Sequence, residues 1–422
     1  MGYVFFLIYL VLFCWLITKS HFVINAGLSS KIIILLFLIK VIAGCLNSWI
    51  FIKMGITSNA DTMVFHNEGL IEYHLLFSDP KEYISNFFHS NYKTGYGDFF
   101  SSTNSYWNDL TSNLVIKLLS IFDIFSFGNF YVNVIFYNYV TFFGAIGLYR
   151  VFNVVYANKS YLIICTCFLL PSLLFYSSNI HKEGLIYAAI GIVVFNMYKA
   201  LNKTGFTPAG VVYISAALIF IFLQRNYVLM ALLPALLAWI LTSIKKYPPL
   251  VTFVIIYAIG TFIFFNTTSV SSKLNLPASI SKKQWDFKHL PAASTYIALD
   301  SLAPTFKSFA LNSPQAINHS LLRPYLTDIK LSKALFPLSI ELFFYELLLL
   351  LFIFFKNKTG KPDTFILFSL FFSLSVLLII GYSIPIIGAI VRYRSIYLPF
   401  LITPIVCNTN WGKIKVALQI QK

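Results

Sequence analysis

Apolar runs of roughly sixteen to twenty-three residues recur along the whole 422-residue chain with short charged stretches between them, and about twenty such residues carry a helix across a hydrocarbon core. A backbone that enters lipid must satisfy its own N–H and C=O groups, which leaves only helices and closed barrels. A barrel would be written in short strands of alternating polarity, and long unbroken runs are the wrong pattern for it. Composition agrees: 58% of residues are hydrophobic and 11% charged, and the mean hydropathy is +0.77. A soluble globule has too little interior for that much apolar surface. The expected fold is an all-α polytopic membrane protein, a single integral-membrane domain over residues 1–422.

Eleven transmembrane helices are expected. They lie near residues 4–17, 32–52, 131–149 and 161–176, with a fifth ending before Lys199, then near 208–223, 227–241, 250–265, 338–355 and 365–380, and a last one after Arg394. One set of connections holds fourteen Lys and Arg against a single acid, Asp363; the other holds sixteen against fourteen, and Lys40 lies inside the second run. Basic residues mark the cytoplasmic side, so the N-terminus is expected outside and the C-terminus inside. No basic leader and no small-residue cleavage site accompany the first run, which is expected to remain in the protein.

Two external regions follow from this topology, 53–110 and 266–336, with a helix at 111–128 lying in the membrane interface. The first contains Asp61, Glu68, Glu72, Asp79, Glu82, Asp98 and Asp109, seven of the fifteen acids in the chain. In it Asp79, Pro80 and Glu82 spell a helix start, with Asp79 as the cap. In the 111–128 helix, Leu114, Val115, Leu118, Phe122 and Phe125 fall on one face and Lys117, Ser120 and Asp123 on the other, as a helix half in lipid and half in water requires. The second region is broken by prolines and carries Arg323-Pro324-Tyr325.

Several classes are excluded. The net charge of +16 would suggest nucleic acid in a soluble chain, but here it is explained by cytoplasmic loops, and no nucleic-acid motif accompanies it. The five cysteines fall within or beside apolar runs, where they are packing residues rather than a disulfide or metal framework. His66, His74 and His89 lack the i, i+4 spacing of a helical metal site, and no Gly-rich phosphate cradle occurs on the cytoplasmic side.

Chemistry is therefore sought on the outer face. Asp61 follows the second span by a short connection and opens a helix containing His66 and Glu68; it serves either as that helix's cap or as a carboxylate delivered to the membrane surface. Arg225 sits in a three-residue turn between two apolar runs, a costly place unless it snorkels or meets an anion, and a guanidinium holds phosphate bidentately. The turn His181-Lys182-Glu183 offers two cationic donors and an acid. Arg392 and Arg394, two apart on a helix, point in different directions, so one at most enters a site. Arg323 lies in a proline-fixed bend. Glu341 and Glu346 fall near hydrocarbon and are expected to face the bundle, paired or protonated.

Together these residues resemble the GT-C class of integral-membrane glycosyltransferases, which use polyprenyl-phosphate sugars at the external face. The resemblance is carried by Asn59-Ala60-Asp61 soon after an early helix, by the interfacial helices that follow, by Leu170-Pro171-Ser172, Ser177-Ser178 and His181-Lys182-Glu183-Gly184, and by Arg392-Tyr393-Arg394 with Pro399. The chain is also similar to bacterial membrane proteins of surface-polysaccharide loci. The resemblance implies Asp61 as base, or divalent-metal ligand, for an acceptor hydroxyl. On that reading Arg225, with Lys182 and one of Arg392 or Arg394, is expected to stabilise the departing polyprenyl phosphate. The partners implied are a polyprenyl-linked sugar, a glycan acceptor and membrane lipids, in a bacterial inner membrane. Two spans rather than one precede the acid, and the next acid is Glu68 rather than an adjacent one. An O-antigen-type polymerase shares this outward chemistry; a flippase for lipid-linked oligosaccharide would instead want midplane charges and repeat symmetry.

Overall fold

The computed structural model describes residues 2–53, 61–88, 106–269, 274–291, 293–357 and 363–417. The helices run in order α1 (Gly2–Lys19), α2 (His21–Ile24), α3 (Ser30–Lys53), α4 (Asp61–Ser78), α5 (Pro80–Ser85), α6 (Tyr106–Ser126) and α7 (Phe130–Val155). Next come α8 (Ser160–Phe168), α9 (Pro171–Ser177), α10 (Lys182–Lys199), α11 (Pro208–Gln224), α12 (Asn226–Lys245) and α13 (Pro249–Phe265). The remainder are α14 (Leu276–Lys288), α15 (Phe306–Ile317), α16 (Phe336–Phe354), α17 (Thr364–Ser383), α18 (Ile387–Ser395), α19 (Leu398–Asn408) and α20 (Trp411–Ala417). Among the described residues there is no strand, only isolated bridges joining Tyr296 to Ile386 and Lys356 to Thr409.

Among the described residues, seven stretches are long and apolar enough to cross a membrane, and two bent helix pairs raise the number to nine. α11 and α13 are apolar but shorter, 17 residues each. The pairs bend by 50° between α8 and α9 and by 66° between α18 and α19. Proline accounts for the first: Pro171 opens α9, where the missing N–H is harmless but the residue before the ring is pushed out of the helical region. The second bend falls at Ile396 and Tyr397, between α18 and α19.

The chain divides into two compact units. The first comprises Met1–Arg150, Leu173–Asn196 and Ala209–Asn226. Within it α7 and α10 touch backbone to backbone: a Cβ on Gly144 would stand 2.2 Å from Ala188 Cα, so only hydrogen fits there. α4 packs on α6 around Phe65, Val115, Leu119 and Phe122, which share a buried cluster with Tyr137, Ile180 and Leu185. The acidity of the 53–110 region is partly structural. Lys117 donates to Glu72 and Asn86 at 2.5 and 2.7 Å, and Asn86 donates to the other Glu72 oxygen at 2.7 Å. Asp79 caps α5 by accepting from Glu82 N at 3.0 Å.

α6 corrects one expectation. Its polar side is not a wet face: Ser120 and Asp123 have 0% exposure, whereas Phe125 is 51% exposed. The physical reason is that α4 and α5 cover that side: a Cβ on Gly69 of α4 would stand 3.5 Å from Asp123 Oδ2, and the Tyr83 hydroxyl of α5 lies 2.9 Å from Ser120 Oγ.

The second unit comprises Val151–Ser172, Met197–Pro208 and Tyr227–Lys422. Its core is aromatic. Trp239 meets Phe368 in a tilted pair with centroids 4.8 Å apart, Phe365 meets Phe152 at 5.0 Å, and Phe372 meets Phe400 at 5.6 Å. Gln284 of α14 ties the 266–336 region down, donating to Tyr382 O at 2.8 Å and accepting from Leu302 N at 3.0 Å. Glu341 faces inward as expected, 8% exposed. It accepts from Ser172 N at 3.0 and 3.1 Å, from Ser172 Oγ at 2.9 Å, and from the Tyr345 hydroxyl.

Candidate functional site

Between α9 and α10 the helix stops for Ser178, Asn179, Ile180 and His181, and these residues are 0 to 4% exposed. Irregular backbone at membrane depth is tolerated only where protein satisfies its polar groups, and here side chains from neighbouring helices do so. Asn138 of α7 donates to Ser178 O at 2.7 Å, and the Tyr137 hydroxyl donates to His181 O. Asn47 of α3 donates to Phe175 O at 3.0 Å and accepts from Asn179 Nδ2 at 2.7 Å. Ser48 donates to Asn179 Oδ1 at 3.0 Å, the same oxygen that accepts from Ile180 N at 2.8 Å.

α3 also supplies a buried lysine. Lys40, 3% exposed, points its Nζ at Ser177 O, Ser177 Oγ and Ser178 Oγ over 3.3 to 3.4 Å. Helical spacing explains the convergence, because Lys40, Gly44, Asn47 and Ser48 occupy one face of α3. Gly44 lets the break approach: a Cβ there would stand 2.2 Å from Ser178 O.

The C-terminal end of the break meets the sequence candidates. Thr62, the second residue of α4 and neighbour of Asp61, lies 3.3 Å from His181 Nε2. Asp61 itself is the first residue of α4 and is exposed; the preceding Asn59 and Ala60 lie outside the described residues. Lys182 donates to Thr111 Oγ1 at 3.0 Å and lies over the Phe65 ring at 5.5 Å. Arg225 finds its anion within the protein: Nη2 stands 2.5 Å from Glu183 Oε1, with side-chain exposures of 11% and 2%. Glu183 in the first turn of α10 is favoured by the helix's unpaired N–H groups. The structure thus places His181, Lys182, Glu183 and Arg225 together, with Asp61 one residue from a His181 contact.

His66 lies deeper on the buried face of α4 and Glu68 on its exposed face. His66 pairs electrostatically with Asp123 of α6. Asp123 Oδ1 accepts from Asn133 at 2.7 Å and from Ser126 at 3.2 Å, while Oδ2 and His66 Nδ1 are buried without hydrogen-bond partners. Burial pushes the Asp123 carboxyl above its ordinary range, against the pull of Asn133 and His66. Burial pushes the His66 imidazole down, against the pull of Asp123. Among the described residues, no three His, Cys, Asp or Glu are grouped as metal ligands.

No known protein family, curated protein or solved structure matches this chain.

The remaining candidates belong to the second unit. Arg394, 3% exposed, donates to Ser320 O at 3.0 Å and Arg323 O at 2.5 Å, clamping the turn between α15 and α16. Arg323 lies 3.5 Å from Asp328 and over the Tyr325 ring at 5.0 Å. Arg392 lies over the Tyr393 ring at 5.0 Å and is half-buried where Arg394 is buried. Sequence reasoning missed Lys40, Asn47, Ser48, Asn138 and Asn179 as a group. The available signal was Lys40 within an apolar run, with Asn47 and Ser48 two turns on along the same face.

Proposed function

We propose that the chain is a bacterial inner-membrane glycosyltransferase that moves a sugar from a polyprenyl-phosphate carrier to a glycan or lipid-linked acceptor at the external face, in the building of a cell-envelope polysaccharide. Asp61 takes the proton from the acceptor hydroxyl. The freed oxygen bonds to the anomeric carbon, the bond from that carbon to the carrier phosphate breaks, and the polyprenyl phosphate leaves with the electron pair. Lys182 and Arg225 stabilise the charge that develops on the phosphate, Arg225 by sharing its fork between Glu183 and the substrate.

The observation that carries this reading is the single stretch His181-Lys182-Glu183, which lies against Thr62 beside Asp61 and against Arg225 at once. A base near an acceptor and cations near a leaving phosphate is the grouping such a transfer needs. The reading also takes α11 and α13 as spans, for eleven in all, with the N-terminus outside.

The test compares lipid-linked and surface glycans of cells carrying the intact chain, Asp61→Asn, or no copy. Asp61→Asn should accumulate like the parent, melt within a degree or two of it, and give the glycan profile of the empty cell. A parental profile would remove Asp61 from the mechanism. Addition of one sugar supports transfer, and chain lengthening supports the polymerase alternative.

A further inference from the structure

On the opposite side of α3 from Lys40, Asn47 and Ser48 lies a groove of about 400 Å³ lined by Phe6 and Leu10 of α1, by Leu38, Val41, Ile42, Cys45, Leu46 and Trp49 of α3, and by Tyr131 of α7. Apart from the Tyr131 hydroxyl and the indole of Trp49, the lining is hydrocarbon and one thiol. From Leu38 to Trp49 it follows α3 for about 16 Å at 1.5 Å per residue, roughly half of a ~30 Å hydrocarbon core. That is the depth of one leaflet.

The two ends of the groove differ. Leu38 closes the deep end. Trp49 and Tyr131 mark the shallow end, 52% and 37% exposed, as amphipathic rings do at the level of lipid headgroups. Just beyond them Lys53 ends α3, its ammonium over the Trp49 ring at 5.9 Å. An apolar trough one leaflet deep, an aromatic collar and a cation at its mouth match the three parts of an anionic lipid: chain, glycerol level and phosphate.

We propose that this groove binds one acyl chain of an anionic phospholipid, in the leaflet that meets the C-terminal end of α3, with the lipid phosphate at Lys53. The occupant is a membrane phospholipid and not the lipid-linked substrate, because the polar break lies on the other face of α3. The site stands independently of the chemistry performed at that break.

The test uses the full chain in phosphatidylcholine nanodiscs containing a small fraction of phosphatidylglycerol with a diazirine midway along one acyl chain. Irradiation and peptide mapping should concentrate the label on Leu38–Trp49 and on the α1 segment around Phe6 and Leu10. The exposed face of α13 (Val254, Ile259, Phe262) serves as the lipid-contact control in the same molecule. Unlabelled phosphatidylglycerol should compete at the groove about fivefold better than phosphatidylcholine, the factor that corresponds to ~1 kcal/mol for one lysine near an anionic surface. Lys53→Glu should erase that preference. Ile42→Trp, which fills the trough from a 63% exposed position, should lower groove labelling and leave α13 unchanged. Equal labelling of groove and α13, equal competition by the two lipids, or an undiminished preference in Lys53→Glu would each overturn the proposal.

Discussion

The ion pair between Arg225 and Glu183 is the sharpest place to measure what holds the first unit together. The charges stand 2.5 Å apart with 11% and 2% of their side chains exposed, so solvent screens them little. Removing one member of a buried pair costs about 3–5 kcal/mol, since the other charge has been taken from water and loses its partner. The two deletions are not symmetric. Glu183→Ala leaves a guanidinium that cannot shed its proton, and the full ~3–5 kcal/mol is expected. Arg225→Met leaves a carboxylate in the first turn of α10, where the helix end returns about 1 kcal/mol, so about 2–4 kcal/mol is expected. The double variant Glu183→Leu with Arg225→Met removes both charges and should lie within about 1–2 kcal/mol of the parent. Equilibrium unfolding in mixed micelles over the four proteins gives the coupling energy. Neutral hydrogen bonds between membrane helices average only about 0.6 kcal/mol in such cycles, so a coupling above ~2 kcal/mol identifies a buried ion pair. Additive single effects would refute the reasoning.

Three further outcomes can be checked. Gly44→Ala sets a Cβ 2.2 Å from Ser178 O and should destabilise by about 1–3 kcal/mol, as overpacking does; an unchanged melting temperature would mean that α3 and the break separate easily. Glu341→Ala orphans the Ser172 N–H and hydroxyl and the Tyr345 hydroxyl, at about 1–3 kcal/mol for each buried group left unpaired, whereas Glu341→Gln keeps an acceptor and should cost well under half as much in the same unfolding assay. His66 is held neutral by burial, its folded pKa below the ordinary 6.5. The unfolded chain therefore binds the proton first, and this contribution is present above pH ~6.5 and lost as pH falls toward the folded pKa. Asp123, raised by burial, has the opposite sign: its folded form holds the proton more tightly, so its contribution falls as pH rises from 3.8 toward the folded pKa. Melting temperature between pH 7.5 and 5.5 should drop less in His66→Gln than in the parent, and an identical drop would show that His66 does not titrate there.

Much of the architecture is legible from local pattern. The apolar runs and the Asp79 cap follow from hydropathy and helix-start chemistry, and each involves residues close in the chain, whereas residues 161–176 read as one span and the structure bends them by 50° at Pro171. α6 shows where that reasoning ends. Its two faces are read correctly as apolar and polar, but which one meets water depends on α4 and α5, and together they cover the polar side.

The candidate site is divided in the same way. Composition and periodicity alone establish that the chain is a helical membrane protein and that Lys40 is an anomaly within its second span, because each depends only on what a stretch of residues can bury. That Lys40 reaches Ser177 across 137 residues, that Asn47 reaches Phe175 across 128, and that Arg225 takes Glu183 as its anion across 42 are products of packing. Hydrogen bonding and charge pairing act over a few ångströms and are blind to distance along the chain. The partner of a polar residue buried in a membrane helix is therefore set by which helices touch.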